Sequence, residues 1–390
     1  MKVLVIGCGL QGRAAIYDLC KNDQIESIIC ADLNPHVLDD FMPWLDQSKL
    51  SLITLDATKK DQVKQAMEGV DVAIDLAPLA CMPVIGAAAV ETKTHLVNAM
   101  YSKSYPQELK DAARAAGVTI LAECGLDPGI DLLTCGKGVS HFDKVTVLHS
   151  MTGGIPEQKA RDDSPIDYKV TWTWYGVLLS YFRPSRMIVC GKEFILPPEE
   201  EFSPKHIMPW NLEGIGQLEA YPNGDAAEYV YALNIQDTIV ESSRRTVRWK
   251  GLADFWYRLS KLSMLDTNST LKSTGQKMVD ILDEYIAPHI QYKPDEKDLV
   301  VMKTIIEGEV GGKKKRLIYE IVDTRDLDTG LFAMNRTTGF TAAIGAQLIL
   351  SGDITARGVL STIKDMPFDL FLSEIAKRGI VIRELWEDLE

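Results

Sequence analysis

Residues 1–123 alternate between short apolar runs and stretches whose apolar positions recur at helical spacing. Residues 2–6 (KVLVI) are apolar and β-branched, the pattern of a strand buried on both faces. Residues 13–20 place Ala14, Ala15, Ile16 and Leu19 on one helical side, and a second apolar run, 25–31, ends at Asp32. Further strands are predicted at 50–55, 70–76, 94–97 and 118–122, with helices at 60–68, 84–91 and 106–116. Gly117 ends the last of these helices. Strands separated by helices predict a doubly wound parallel sheet, with ligands beyond the carboxyl ends of the strands.

The pattern changes after Glu123. Residues 145–152 and 228–250 read as strands rich in aromatic and β-branched residues, with few helices between them. Residues 299–307 and 316–323 predict a strand pair around Gly311-Gly312-Lys313. The charged, proline-rich stretch 197–209 predicts a surface loop, and 269–286 a helix. The small residues of 335–350 predict a helix packed closely on another element, and 366–390 one more helix with an acidic end.

The first turn sharpens the picture. Gly7-Cys8-Gly9-Leu10-Gln11-Gly12 directly follows the first strand and opens the first helix. Gly7 allows the tight turn, Gly9 the approach of a pyrophosphate, and Gly12 the close packing of helix on strand. The N–H groups at the helix start then face the phosphates. Asp32 lies 20 residues beyond Gly12, where a carboxylate accepts hydrogen bonds from the adenosine ribose. An acid there repels a 2′-phosphate, and no arginine occurs between Ala31 and Val37, so NAD is favoured over NADP. Asp56 and Ala57 after the third strand, and Ala77 and Pro78 after the fourth, are further cofactor-binding candidates.

The fold class is thus α/β, an N-terminal Rossmann doubly wound parallel sheet plus an inserted α+β domain with a mostly antiparallel sheet. The expected domains are 1–125 for NAD binding, 126–330 for substrate binding and dimerisation, and 331–390 as C-terminal helices packing back on the Rossmann domain.

Totals narrow the partners. The 390 residues are 46% hydrophobic and 25% charged, which excludes disorder. A net charge of −13 argues against nucleic acid or an anionic membrane surface. The seven cysteines are odd in number and without a CxxC pair, as for reduced, buried thiols. The six histidines show no metal-ligand spacing, so no metal is expected. The chain begins with its first strand, and no apolar run reaches the ~18 residues that span a bilayer. A cytoplasmic protein is expected. An open sheet edge and face in the second domain favour a homodimer or higher homo-oligomer.

A second constellation, Glu123-Cys124-Gly125-Leu126-Asp127-Pro128-Gly129-Ile130-Asp131, sits just past the sixth strand, where a nicotinamide should lie. Pro128 and Gly129 force a turn there. Asp131 could cap the next helix.

Taken with that turn, several stretches resemble the saccharopine dehydrogenase family. They are GCGLQG, ECGLDPGID, GGIP at 153–156, SPIDYKVTW at 164–172, GVLL at 176–179, LEAYPNGDAAEY at 218–229, RRTVRWKG at 244–251 and MNRTTGFTAAIGAQLILSGDITARGV at 334–359. The resemblance runs nearly end to end. It implies hydride transfer between a nicotinamide and a carbon bearing nitrogen, in an amino acid or opine. Glutamate-forming saccharopine dehydrogenation in lysine metabolism ranks first. Lysine 6-dehydrogenation, carboxyspermidine dehydrogenation and a catalytically silent NAD-binding regulator are the alternatives. Such a substrate carries carboxylates, which call for arginine or lysine. Arg244 or Arg245 is the expected clamp, on opposite faces of a strand, and Lys169 beside Tyr168 a second. Asp127 is expected to bind the amine or take its proton, and Tyr101 to bring a hydroxyl to the reacting carbon. Asp131 and Gly154 complete the expected substrate contacts.

Overall fold

The computed structural model describes all 390 residues and divides into two compact units. One comprises Met1–Thr134 and Met334–Val381, the other Cys135–Ala333 and Ile382–Glu390. The strands, in chain order, begin with β1 (Lys2–Ile6), β2 (Ser27–Asp32), β3 (Leu50–Thr54), β4 (Val72–Asp75), β5 (His95–Asn98) and β6 (Thr119–Ala122). There follow β7 (Lys144–Pro156), β8 (Ser185–Val189), β9 (Lys192–Leu196), β10 (Met208–Leu212), β11 (Gly216–Pro222) and β12 (Glu241–Trp249). The last are β13 (Asp298–Val310), β14 (Lys313–Thr324), β15 (Gly358–Ser361) and β16 (Arg383–Asp388).

In the first unit seven strands run parallel in the order β15-β6-β5-β4-β1-β2-β3. Val3, Leu4, Ile28, Ile74 and Leu96 are completely buried, as their unbroken apolar runs require. The order reverses between β1 and β4, which opens the crevice that such sheets use for ligands. The helix Ala333–Leu350 lies tight on this sheet because its small residues permit it. A Cβ at Gly339 would stand 2.5 Å from the Gln11 carbonyl oxygen, and one at Gly345 would stand 3.1 Å from Cys124 Sγ.

The second unit is a nine-stranded sheet. Its main path is β10-β11-β12-β7-β13-β14-β16, with β8 joining β12 and β9 joining β8. Only β12 and β7 pair in parallel. The β13–β14 hairpin closes on Gly311 and Gly312 at φ +57° and +77°, a two-residue turn that needs positive φ at both positions. One face carries a buried aromatic cluster of Tyr168, Trp174, Tyr181, Phe202, Tyr221 and Trp256.

Four local expectations are corrected. Residues 228–250 hold the helix Ala227–Ala232 before β12, because the Asp225 carboxylate accepts from the Glu228 N–H and starts a helical turn. Residues 197–209 are not simply surface loop: Glu201 and Phe202 are each 1% exposed, and β10 begins at Met208. Of 269–286 only Met278–Ile286 is helical, since Thr270 pairs with Lys277 around Gly275 at φ +73°. The acidic end is strand β16, paired with β14, and Gly358–Ser361 is strand β15, paired with β6, where the expectation for 331–390 is C-terminal helices. Residues 126–134 therefore sit with the first unit and 382–390 with the second, unlike the expected boundaries.

Candidate active site

All strands of the first sheet end on one edge, and the turns there carry the expected cofactor residues. Gly7 has φ +92°, and a Cβ on it would stand 2.7 Å from the Leu76 carbonyl and 2.9 Å from the Ala77 nitrogen. The glycine turn and the Ala77–Pro78 turn thus touch. A Cβ on Gly12 would lie 2.0 Å from the Gly7 oxygen, whereas one on Gly9 would meet nothing within 4 Å. Gly9 caps the helix α1 (Leu10–Cys20) without a side-chain hydrogen bond, so the first-turn N–H groups around Leu10 and Gln11 are open to an anion. Asp32 accepts from the Cys8 N–H at 2.8 Å through Oδ2 and from the Asn34 N–H at 3.0 Å through Oδ1. Its charge is thereby pinned beside the glycine turn. Close backbone approach at Gly9, an uncapped helix start and a fixed acid fit a dinucleotide.

Asp56 closes a turn on itself instead, accepting from the Thr58 N–H and hydroxyl, while Ala57 is buried in the core. Asp75, 1% exposed at the end of β4, accepts from the Ala77 N–H at 3.0 Å. Burial pushes its carboxyl up to about 7.

The second turn follows β6. Gly125 donates its N–H to the Pro128 carbonyl at 3.0 Å, and Asp131 Oδ1 accepts from the Gly129 N–H at 2.8 Å. A Cβ on Gly129 would lie 1.9 Å from the Gly125 oxygen, so only glycine fits. Asp131 is fully buried and holds the turn, a structural task rather than the expected substrate contact. Asp127 is the one residue from Val118 to Cys135 that is not buried. Tyr101, partly exposed, follows β5, with the Lys103 ammonium over its ring at 5.4 Å.

In the second unit the arginines of β12 separate by face, as period two demands. Arg244 is 5% exposed. A Cβ on Gly224 (φ +73°) would stand 2.6 Å from Arg244 Nη1 and 3.8 Å from Arg183 Nη2. Two guanidinium groups therefore converge on one point that a glycine leaves clear. Arg183 also donates from Nε to Asn223 Oδ1 at 3.0 Å, and the Asn223 N–H donates to the Arg244 carbonyl at 2.8 Å. Glu201, near Arg183, accepts no well-formed hydrogen bond at either oxygen. Burial pushes its carboxyl well above the usual range, with the Arg183 charge opposing.

Lys169 departs from its expected role. It is buried, and its ammonium donates to both Glu296 oxygens at 2.7 Å, so its charge is already matched. Tyr168 is buried under the Arg248 guanidinium, 4.9 Å from its ring. Gly154 is interior strand backbone, paired with Val300. Arg245 faces the other way, bonded to Ser243 and to the His206 carbonyl. Arg183, Glu201 and Glu296 had no signal in the sequence, because Arg183 meets Asn223 across 40 residues, Glu296 meets Lys169 across 127, and Glu201 is marked by its burial alone; the Asn223-Gly224 turn was visible only as part of the LEAYPNGDAAEY stretch.

Comparison with known proteins extends this picture. The family models for the saccharopine dehydrogenase NADP binding domain and C-terminal domain match residues 3–121 and 125–380. Saccharopine dehydrogenase [NADP(+), L-glutamate-forming] of Saccharomyces cerevisiae is 25% identical, with 98% of each chain covered. Mitochondrial alpha-aminoadipic semialdehyde synthase of Rattus norvegicus is 24% identical over 97% of this chain and 47% of its own, so the chain spans about half the length of that relative. The apo histidine-tagged saccharopine dehydrogenase (L-Glu forming) from S. cerevisiae superimposes with a TM-score of 0.85 at 24% identity, covering 99% of both chains. The α/β fold expected from the alternating runs is the fold found. No helix is long and apolar enough to cross a membrane. The chain belongs to the saccharopine dehydrogenase family.

Proposed function

We propose that the chain is a nicotinamide-dependent oxidoreductase acting on a C–N bond of an amino acid or opine, with glutamate-forming saccharopine dehydrogenation in lysine metabolism as its reaction. The observation that carries this is the glycine turn at Gly7–Gly12 with its uncapped helix start and the anchored Asp32. Gly9, Leu10, Gln11 and Gly12 hold the pyrophosphate, and Ala77 and Pro78 close the turn beside it. The nicotinamide, when bound, supplies the acceptor for hydride from the substrate's C–N carbon. Asp127 binds the substrate amine and takes its proton, with the Tyr101 hydroxyl as the second polar group. Arg244 with Arg183 clamps a carboxylate, in a fork geometry that suits it.

Among cofactors we favour NAD. The yeast relative and the family model carry NADP in their names, but Asp32, anchored beside the glycine turn, is an acid of the kind that selects a ribose 2′-hydroxyl over a 2′-phosphate. Comparing kcat/KM with each cofactor decides this: Asp32→Ser should shift the preference toward NADP by about tenfold or more, and a wild type already faster with NADP would refute the assignment. A homo-oligomer is proposed from the unpaired outer edges of β10 and β16, which sedimentation would test.

The deciding assay follows nicotinamide absorbance with saccharopine, lysine or carboxyspermidine and NAD or NADP. Turnover is expected first with saccharopine; silence with every amine would sink the enzyme reading. Asp127→Asn should abolish turnover and leave NAD binding intact. A wild type that binds NAD without hydride transfer would instead be a regulator.

A further inference from the structure

The face of β12 opposite Arg244 carries a second set of chemistry. Glu241, Ser243 and Arg245 alternate along it and line a cavity of about 430 Å³. That volume lies within the range of small-molecule sites. Its apolar wall includes Met187, Phe194, Ile207 and Met208, and Lys205 stands on its rim.

Arg245 is the feature that asks for a ligand. It donates from Nε to Ser243 Oγ at 2.9 Å, and from Nη1 to the His206 carbonyl at 2.6 Å. A weaker contact reaches the Ala220 carbonyl at 3.4 Å. Every one of these partners is neutral. A largely buried guanidinium without a counter-charge is costly to maintain. Arg245 is also held in place. Ser243 Oγ accepts from Arg245, so its own proton is directed to His149 Nδ1, 2.8 Å away. His149 is kept neutral by burial and by Arg245, which push it down to about 4. A neutral histidine orients a serine, and the serine orients the arginine.

We infer that this cavity binds a small monocarboxylate with an apolar body, its carboxylate on Arg245 and Lys205. Glu241 sets the size and charge of the ligand. It lies four residues from Arg245, roughly 13 Å along the strand, and one of its oxygens already accepts from the Cys190 N–H at 2.9 Å. A second carboxylate reaching that end would meet it as a like charge, so a dicarboxylate is disfavoured. This site does not depend on the proposed reaction, because none of its residues takes part there.

Titration calorimetry with hexanoate, hexan-1-ol and hexylammonium tests the inference on the full chain. Hexanoate should bind, and the other two should bind at least tenfold more weakly. Arg245→Met should weaken hexanoate at least tenfold. Lys205→Met, on the exposed rim, should weaken it about threefold without affecting folding, and so guards against a misfolded Arg245 variant. Absence of hexanoate binding, equal binding of hexan-1-ol, or unchanged affinity in Lys205→Met would overturn the site.

Discussion

In the first unit the groups set for a ligand are mostly backbone: the turn at Gly7–Gly12, the start of α1, and the N–H groups that pin Asp32. In the second unit they are side chains drawn from distant segments, Arg183 after a helix, Glu201 in a turn, Asn223 past β11 and Arg244 on β12, around the point that Gly224 leaves clear. Backbone presentation needs only a local run of glycines. Side-chain presentation needs the whole sheet to be assembled, and it leaves charges buried whose roles must be told apart. Glu296 and Glu201 illustrate this. Both are 1–2% exposed, yet one is matched by Lys169 and the other accepts no well-formed hydrogen bond.

Breaking the matched pair should have the largest effect. Lys169→Met leaves the buried Glu296 carboxylate with only the Lys293 N–H at 2.7 Å and the exposed Lys293 ammonium at 3.9 Å, and should cost about 3–5 kcal/mol in urea unfolding, whereas Lys169→Met with Glu296→Leu should recover most of it. A double variant no more stable than the single one would mean that Lys169 acts elsewhere.

Asp75 is the first unit's counterpart, a buried acid served by one N–H. Its pKa is raised, from 3.8 to about 7, so the folded state holds the proton more tightly than the unfolded one. Stability from that proton is complete below about pH 4 and is lost as pH rises toward 7. Relative to Asp75→Asn, the wild type should lose about 3 kcal/mol between pH 4.5 and pH 7.5. Unfolding midpoints of both proteins at pH 4.5 and 7.5 measure it.

Gly12→Val tests the backbone-built site. Its side chain would strike the Gly7 carbonyl, and overpacking of this kind costs about 3 kcal/mol. NAD binding, followed by fluorescence titration, should weaken about 100-fold. Arg244→Met tests the side-chain site: KM for the amine substrate should rise roughly 10- to 100-fold with the NAD dissociation constant unchanged. A change in NAD affinity instead would show that the two sites are not separable in this way.

Much of the first unit was legible in advance, and the reason is physical. Strands of a parallel sheet are buried on both faces, so residues 2–6 and 118–122 announce themselves as unbroken apolar runs. The second unit was harder. Alternation at 228–250 mimicked strand throughout, and only the Asp225 carboxylate over the Glu228 N–H turned its start into a helix. Arg244 and Arg245 were both candidate clamps, and their separation by face was expected. Which face gathers a second guanidinium was not, since Arg183 lies 61 residues upstream.

What the sequence by itself determined is the dinucleotide turn. Three glycines and an acid 20 residues beyond them act through short-range sterics and hydrogen bonds that follow directly from residue order. What only the tertiary structure decided is the fate of the charges. Whether Lys169 clamps a ligand or closes on Glu296 depends on which residue 127 positions away is brought to its side. Charge pairing in a protein interior is set by proximity in space, and that proximity is a product of the folded sheet.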